Sequence, residues 1–339
     1  MKSNGMELYQ CASDLCVRGY AIFKSGPGTD AKVLEQNCRE IMDHVDAGTG
    51  GTYNCAGGVS RNTLDDSNLL DTRQGAPPEL TIQYHNEMAY ADRFPKYIAF
   101  AMVRRGREGT GGTTNLCDNT KVMKMLGQNL LNKMKKLGII YQRVLEDKCN
   151  ESAPFYYNSW QDAFGTNSKV SALKIGNASD NSILFDVTTP EGRNYMTHLK
   201  WCPLFDSSHP VFGEMLFCSI LNRHGSWLDA HSYFGNLPLS ERPYHCYWGD
   251  GSDFDEVEIN VIRQAHDICT ENITLEEGDL VVIDNLRVQH GRSPYTGERA
   301  LGLLLSDTVT RQYEKPFDAF QEKKKVILRK AKLSKLHYY

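Results

Sequence analysis

Short apolar runs set off by glycine and proline turns leave this 339-residue chain few architectures. Gly19-Tyr20-Ala21-Ile22-Phe23 is the first of them, closed by the turn Gly26-Pro27-Gly28. Pro95–Val103, Met215–Leu221, Leu280–Ile283 after Gly278-Asp279, and Ala300–Leu305 after a glycine-containing turn follow. Runs this short, bounded this way, read as strands. In the second half they outnumber helices and are spaced as antiparallel neighbours rather than as βαβ units. Ahead of the C-terminal segment, helical periodicity shows in three places. Asp30 caps a segment with Val33, Leu34, Ile41, Met42 and Val45 on one face. Residues 119–146 and 253–268 supply the other two. Residues 47–63, rich in Gly, Thr, Ser and Asn, read as a loop. The expectation is a mainly β core with flanking helices (α+β), a jelly roll or barrel.

Several function classes are excluded at once. There is no GxGxxG or GxxxxGK[ST] phosphate loop and no GxSxG nucleophile elbow. No run of about 18 apolar residues exists, so no transmembrane segment is expected. The polar start, MKSNGMELYQ, lacks the apolar stretch of a signal peptide. Ten scattered cysteines form no CxxC pair, which reads as reduced thiols in a cytoplasmic protein. Residues 315–339 hold 8 Lys and Arg against 2 Asp and Glu, leaving 30 against 40 for the rest. The body is mildly acidic, so nucleic acid is not an expected partner. The basic segment has apolar residues at roughly helical spacing and reads as a C-terminal helical tail, solvated or set against a partner or membrane surface.

The chemistry concentrates in three places. In Tyr84-His85-Asn86-Glu87-Met88, His85 and Glu87 stand two apart, and on a strand such residues share a face. About 200 residues later comes His290, within Asp284-Asn285-Leu286-Arg287-Val288-Gln289-His290-Gly291-Arg292 and just after an apolar strand. Arg299 opens the next apolar strand, which is expected to neighbour the one carrying His290. An HxE, a distant His and a following Arg match the 2-His-1-carboxylate set of non-haem Fe(II) oxygenases, which leaves positions open for a chelating cosubstrate and O2. Zinc favours a tetrahedral site, for which this set is less typical.

These blocks resemble the taurine dioxygenase-like family of Fe(II)/2-oxoglutarate-dependent oxygenases. The similarity is greatest to the branch that oxidises amino acids in natural-product pathways, such as the syringomycin-pathway aspartate hydroxylase. It runs through Pro77-Pro78-Glu79-Leu80-Thr81-Ile82 into His85-Asn86-Glu87-Met88-Ala89-Tyr90. Gly111-Gly112-Thr113-Thr114, Asp118-Asn119 and Gly249-Asp250-Gly251 follow, then Gly278-Asp279 through His290-Gly291-Arg292 to Arg299. The blocks cover roughly residues 17–310. The resemblance implies a double-stranded β-helix (a cupin-like jelly roll) with His85, Glu87 and His290 as Fe(II) ligands. Arg299 and Thr114 match the residues that hold the cosubstrate 2-oxoglutarate. Where taurine dioxygenase grips a sulfonate with a second arginine, four residues after the first, this chain has Leu303, so taurine is not the expected substrate. The carboxylate ligand that halogenases of the superfamily lack is present as Glu87.

The expected activity is oxidation of an unactivated carbon in a small amino acid or amino-acid-derived carboxylate. Hydroxylation, oxidative cyclisation and desaturation all remain open. Thr81 and Gln83 precede His85 on one strand face and are substrate-contact candidates, as are Arg61 and Arg73 in the approach to the metal strand. Two other readings compete: a catalytically silent binding protein with the same fold, and a metal-dependent hydrolase that needs neither Arg299 nor O2. Because the candidate residues must meet at one ion, residues 1–314 are expected to form a single oxygenase domain, followed by the tail, 315–339.

Overall fold

The computed structural model describes residues 3–46, 62–74, 76–105, 110–154, 157–189, 192–311 and 318–335. It groups the chain into two compact units. The first takes residues 1–126, 205–219 and 263–312, the second 127–204, 220–262 and 313–339. Both are mainly β with flanking helices.

Nine strands of the first unit form two antiparallel sheets. In chain order they are β1 (Tyr20–Lys24), β2 (Leu70–Asp71), β3 (Ile82–His85), β4 (Tyr97–Arg105), β5 (Thr114–Asp118), β6 (Thr270–Ile273), β7 (Asp279–Asp284), β8 (Val288–Arg292) and β9 (Arg299–Leu305). One sheet has the order β1-β7-β4-β9-β2 and the other β6-β5-β8-β3. The first sheet explains why the middles of its longer strands are apolar without a break, their polar residues standing at the ends. Ala99, Ala101, Val103, Leu280, Val282 and Leu304 point to one face, where they pack with Leu15, Leu34, Ile41 and Met42 of the helices Ser3–Arg18 and Ala31–Val45. The alternate residues, Ile98, Phe100, Met102, Val281, Ile283 and Leu303, pack with Leu116 and Val288 of the second sheet. A strand covered on both faces has no position for a polar residue, so the two-residue alternation of side chains leaves no polar trace in the sequence. The Asp30 carboxylate caps the second helix by accepting the Val33 N–H at 2.8 Å.

The second unit has a four-stranded antiparallel sheet in the order Tyr244–Trp248, Ile139–Glu146, Asn194–Cys202, Ser182–Thr188, with Asn158–Ser159 added in parallel. Its core includes Ile140, Ile183, Leu199, Trp201 and Phe320. Phe320 belongs to the helix Asp318–Lys335, so the described part of the basic tail is helical and anchors an aromatic ring in this core.

Three expectations are corrected, and one helix is added. The helix read over 119–146 is two helices, Asn119–Met125 and Gln128–Leu137, followed by the strand Ile139–Glu146. Gly138, at φ +65°, ends the helical pattern. Met215–Leu221 is split between the strand Gly213–Leu216 and the helix Ile220–Arg223. The polar start is itself a helix, Ser3–Arg18, with Leu8, Cys11, Ala12 and Leu15 buried. The strand of Arg299 does not pair with that of His290; β9 and β8 belong to different sheets. Residues 47–61 of the expected loop lie outside the described residues.

Candidate metal centre

Strands β3 and β8 pair with His85 directly opposite His290. Cross-strand neighbours lie close enough for side chains to touch, and the two imidazole rings stand 4.1 Å apart, centre to centre. Glu87 reaches them by a route the strand rule does not describe. β3 ends at His85, and Glu87 lies in the turn beyond it, ahead of Met88 at φ +59°. The fully buried Asn86 makes that exit: its N–H donates to the Cys218 carbonyl at 2.9 Å and its amide to the Asn285 carbonyl at 2.6 Å.

The turn brings one Glu87 oxygen to 3.6 Å from His290 Nε2 and 3.8 Å from His85 Nε2. These separations exceed a hydrogen bond. One ligand atom from each of the three residues lies within 4.8 Å of the other two. His85 Nδ1 lies 2.9 Å from the Gln83 carbonyl, which can only accept. The proton is therefore on Nδ1, and Nε2 carries the lone pair that a metal ligand needs. His290 is buried, and among the described residues its Nδ1 has no hydrogen-bond partner. Two nitrogens and one carboxylate, spaced apart rather than bonded to one another, suit a divalent transition metal with open positions. The Phe100 ring from the first sheet stands 5.2 Å from His290 and covers its flank.

Arg299 begins β9. It is buried, donates from Nη1 to the Gly112 carbonyl at 2.9 Å and lies 4.7 Å from the centre of the Tyr295 ring. Among the described residues it has no carboxylate partner. Burial, together with the nearby Arg292 and Arg105, pushes its pKa down to about 10. Gly112, at φ +71°, makes room for this guanidinium: a Cβ there would come within 2.2 Å of Nη1. Thr114 is buried at the start of β5, opposite Arg292.

Of the other sequence candidates, Gln83 lies half-buried in β3 and Thr81 is exposed just before it. Arg73 forms a fork with Asp71, its Nη2 2.6 Å from the carboxylate. Arg61 lies outside the described residues. Leu303 is buried in β9 among apolar neighbours. The sequence reading missed the amides around Glu87. Asn86, Asn119 and Asn285 are fully buried, and Gln289 nearly so; Gln289 donates to Asn119 and Asn119 to the Leu216 carbonyl. The available signal was an asparagine between the two ligand candidates and another directly after an apolar strand.

Comparison with known proteins defines the class. The model of the taurine catabolism dioxygenase TauD, TfdA family matches residues 15–305, and the chain belongs to this family. It is thus an Fe(II)- and 2-oxoglutarate-dependent dioxygenase that also consumes O2. Among individual proteins, it is 28% identical over 251 residues to the dapdiamide synthesis protein DdaC of Enterobacter agglomerans, covering 69% of this chain and 68% of that one. It is 24% identical over 232 residues to a clavaminate synthase-like protein of Arabidopsis thaliana, covering 67% and 66%. The solved structure of PvcB from Pseudomonas aeruginosa is similar with a TM-score of 0.46 and 11% identity, over 91% of this chain and 86% of that one. Among the described residues, no helix is long and apolar enough to cross a membrane.

Proposed function

We propose that His85, Glu87 and His290 hold the iron of an oxygenase that removes hydrogen from an unactivated carbon of a small amino acid or amino-acid-derived carboxylate. The observation that carries this is the convergence of the three side chains with both Nε2 atoms turned toward the Glu87 carboxylate. In this reading the two sheets of the first unit form the double-stranded β-helix, and residues 1–314 act as one oxygenase domain. The absence of an arginine at position 303 argues against a sulfonate substrate. The dapdiamide synthesis protein among its relatives supports a place in specialised metabolism.

Bound iron supplies the activation of O2 that hydrogen removal needs. The protein contributes position and charge. Gln83 fixes the tautomer of His85 through its carbonyl. Arg299 offers a buried, planar cation to the distal carboxylate of 2-oxoglutarate, a match that guanidinium geometry makes bidentate. Its burial without an acid partner among the described residues supports this role. Thr114 donates its hydroxyl to the same cosubstrate. Phe100 keeps water from the flank of His290. Gln83 and Thr81 meet the substrate on the β3 side; Arg73 and Arg61 remain candidates for its carboxylate.

The test is succinate formation from 2-oxoglutarate with Fe(II), ascorbate and a panel of amino acids. His85→Ala should abolish it, and turnover that survives in this variant overturns the iron assignment. Product masses separate the outcomes: +16 for hydroxylation, −2 for desaturation or cyclisation.

A further inference from the structure

We infer that Asn285 is the positioning residue for Glu87, aiming its carboxylate by clamping the peptide on both sides of it. The inference rests on the proposed metal centre and extends it to a residue that touches no ligand atom. Asn285 is fully buried. Its Oδ1 accepts the Glu87 N–H at 2.7 Å, and its Nδ2 donates to the Glu87 carbonyl at 3.1 Å and to the Pro95 carbonyl at 2.8 Å. One amide group thus does at residue 87 what a neighbouring strand does elsewhere: it takes both main-chain hydrogen bonds. The turn needs this. Glu87 lies past the end of β3, so no ladder holds it, and Met88 occupies the left-handed region that non-glycine residues enter only when their surroundings enforce it. The clamp is tied in turn to the strand ends by the Pro95 carbonyl and by the Asn285 carbonyl, which accepts from Asn86. Only a side chain with one acceptor and two donors on a short stem satisfies these three groups.

The probe is Mn(II), titrated into the full-length protein under argon, with free Mn(II) followed by its paramagnetic resonance signal. The wild type should bind one ion, and Glu87→Ala should bind it more weakly. If the wild type binds none, or Glu87→Ala binds as tightly as the wild type, the metal-centre reading falls and takes the inference with it. With that reading standing, Asn285→Ala should weaken Mn(II) binding about 10- to 100-fold. In the Glu87→Ala background the same change should cost nothing further, because Asn285 acts through Glu87. A residue with only a general structural role would cost the same factor in both backgrounds, and that result overturns the inference. Wild-type affinity in Asn285→Ala overturns it too. Asn285→Ser, which keeps one donor, carries the same cycle if the alanine form does not fold.

Discussion

Arg299 shows how a single buried charge can be read as half of a binding event. Its pKa lies below the ordinary arginine value because burial disfavours the charged form. For a base this means that the fold carries a cost at every pH below about 10, and loses it only as pH rises above that value. An anion beside the guanidinium offsets the cost. Arg299→Met should therefore leave the melting temperature of the cosubstrate-free protein unchanged or higher, and abolish the rise that 2-oxoglutarate produces in the wild type. Differential scanning calorimetry with and without 2-oxoglutarate measures both; a stabilisation by cosubstrate that survives in Arg299→Met refutes the assignment. The contrast with the amides marks the limit of reading residues from sequence. His85, Glu87, His290 and Arg299 are legible because their chemistry is rare and their spacing recurrent. Asn285 is 198 positions from the peptide it holds, and its role appears only when the two strand ends meet.

Elements were legible where both faces of a strand are covered, as in Tyr97–Arg105 and Arg299–Leu305, since an unbroken apolar run then has one reading. They were misread where an apolar run adjoins a helix. Ile139–Glu146 continues the hydrophobic character of Gln128–Leu137, and only Gly138 separates them. Its backbone, φ +65° and ψ −157°, lies in a region open essentially to glycine alone, and a Cβ there would approach the Cys202 carbonyl to 2.7 Å. Gly138→Ala should accordingly destabilise the protein by about 1–3 kcal/mol or more, measured by urea denaturation. An alanine variant as stable as the wild type would mean that the helix-to-strand switch is set elsewhere.

At the scale of the whole chain, two units leave no mark in the sequence, because each is assembled from three separated segments and no linker composition marks their limits. The tail illustrates this. Its charge was legible, but the fully buried Phe320 ring was hidden beside a run of lysines. Phe320→Ala should lower stability by about 3–5 kcal/mol, the range for emptying a core aromatic position, and calorimetry would show it as a lower transition temperature. A tail that is merely solvated would show no change. The first unit has a quieter property. Asn285 holds residue 87 by main-chain atoms alone, and the strand before it closes at His85. What the scaffold specifies is therefore a location, and the group displayed there is left to selection. Exchanging that group alters the coordination sphere while leaving in place the main-chain hydrogen bonds that hold the turn.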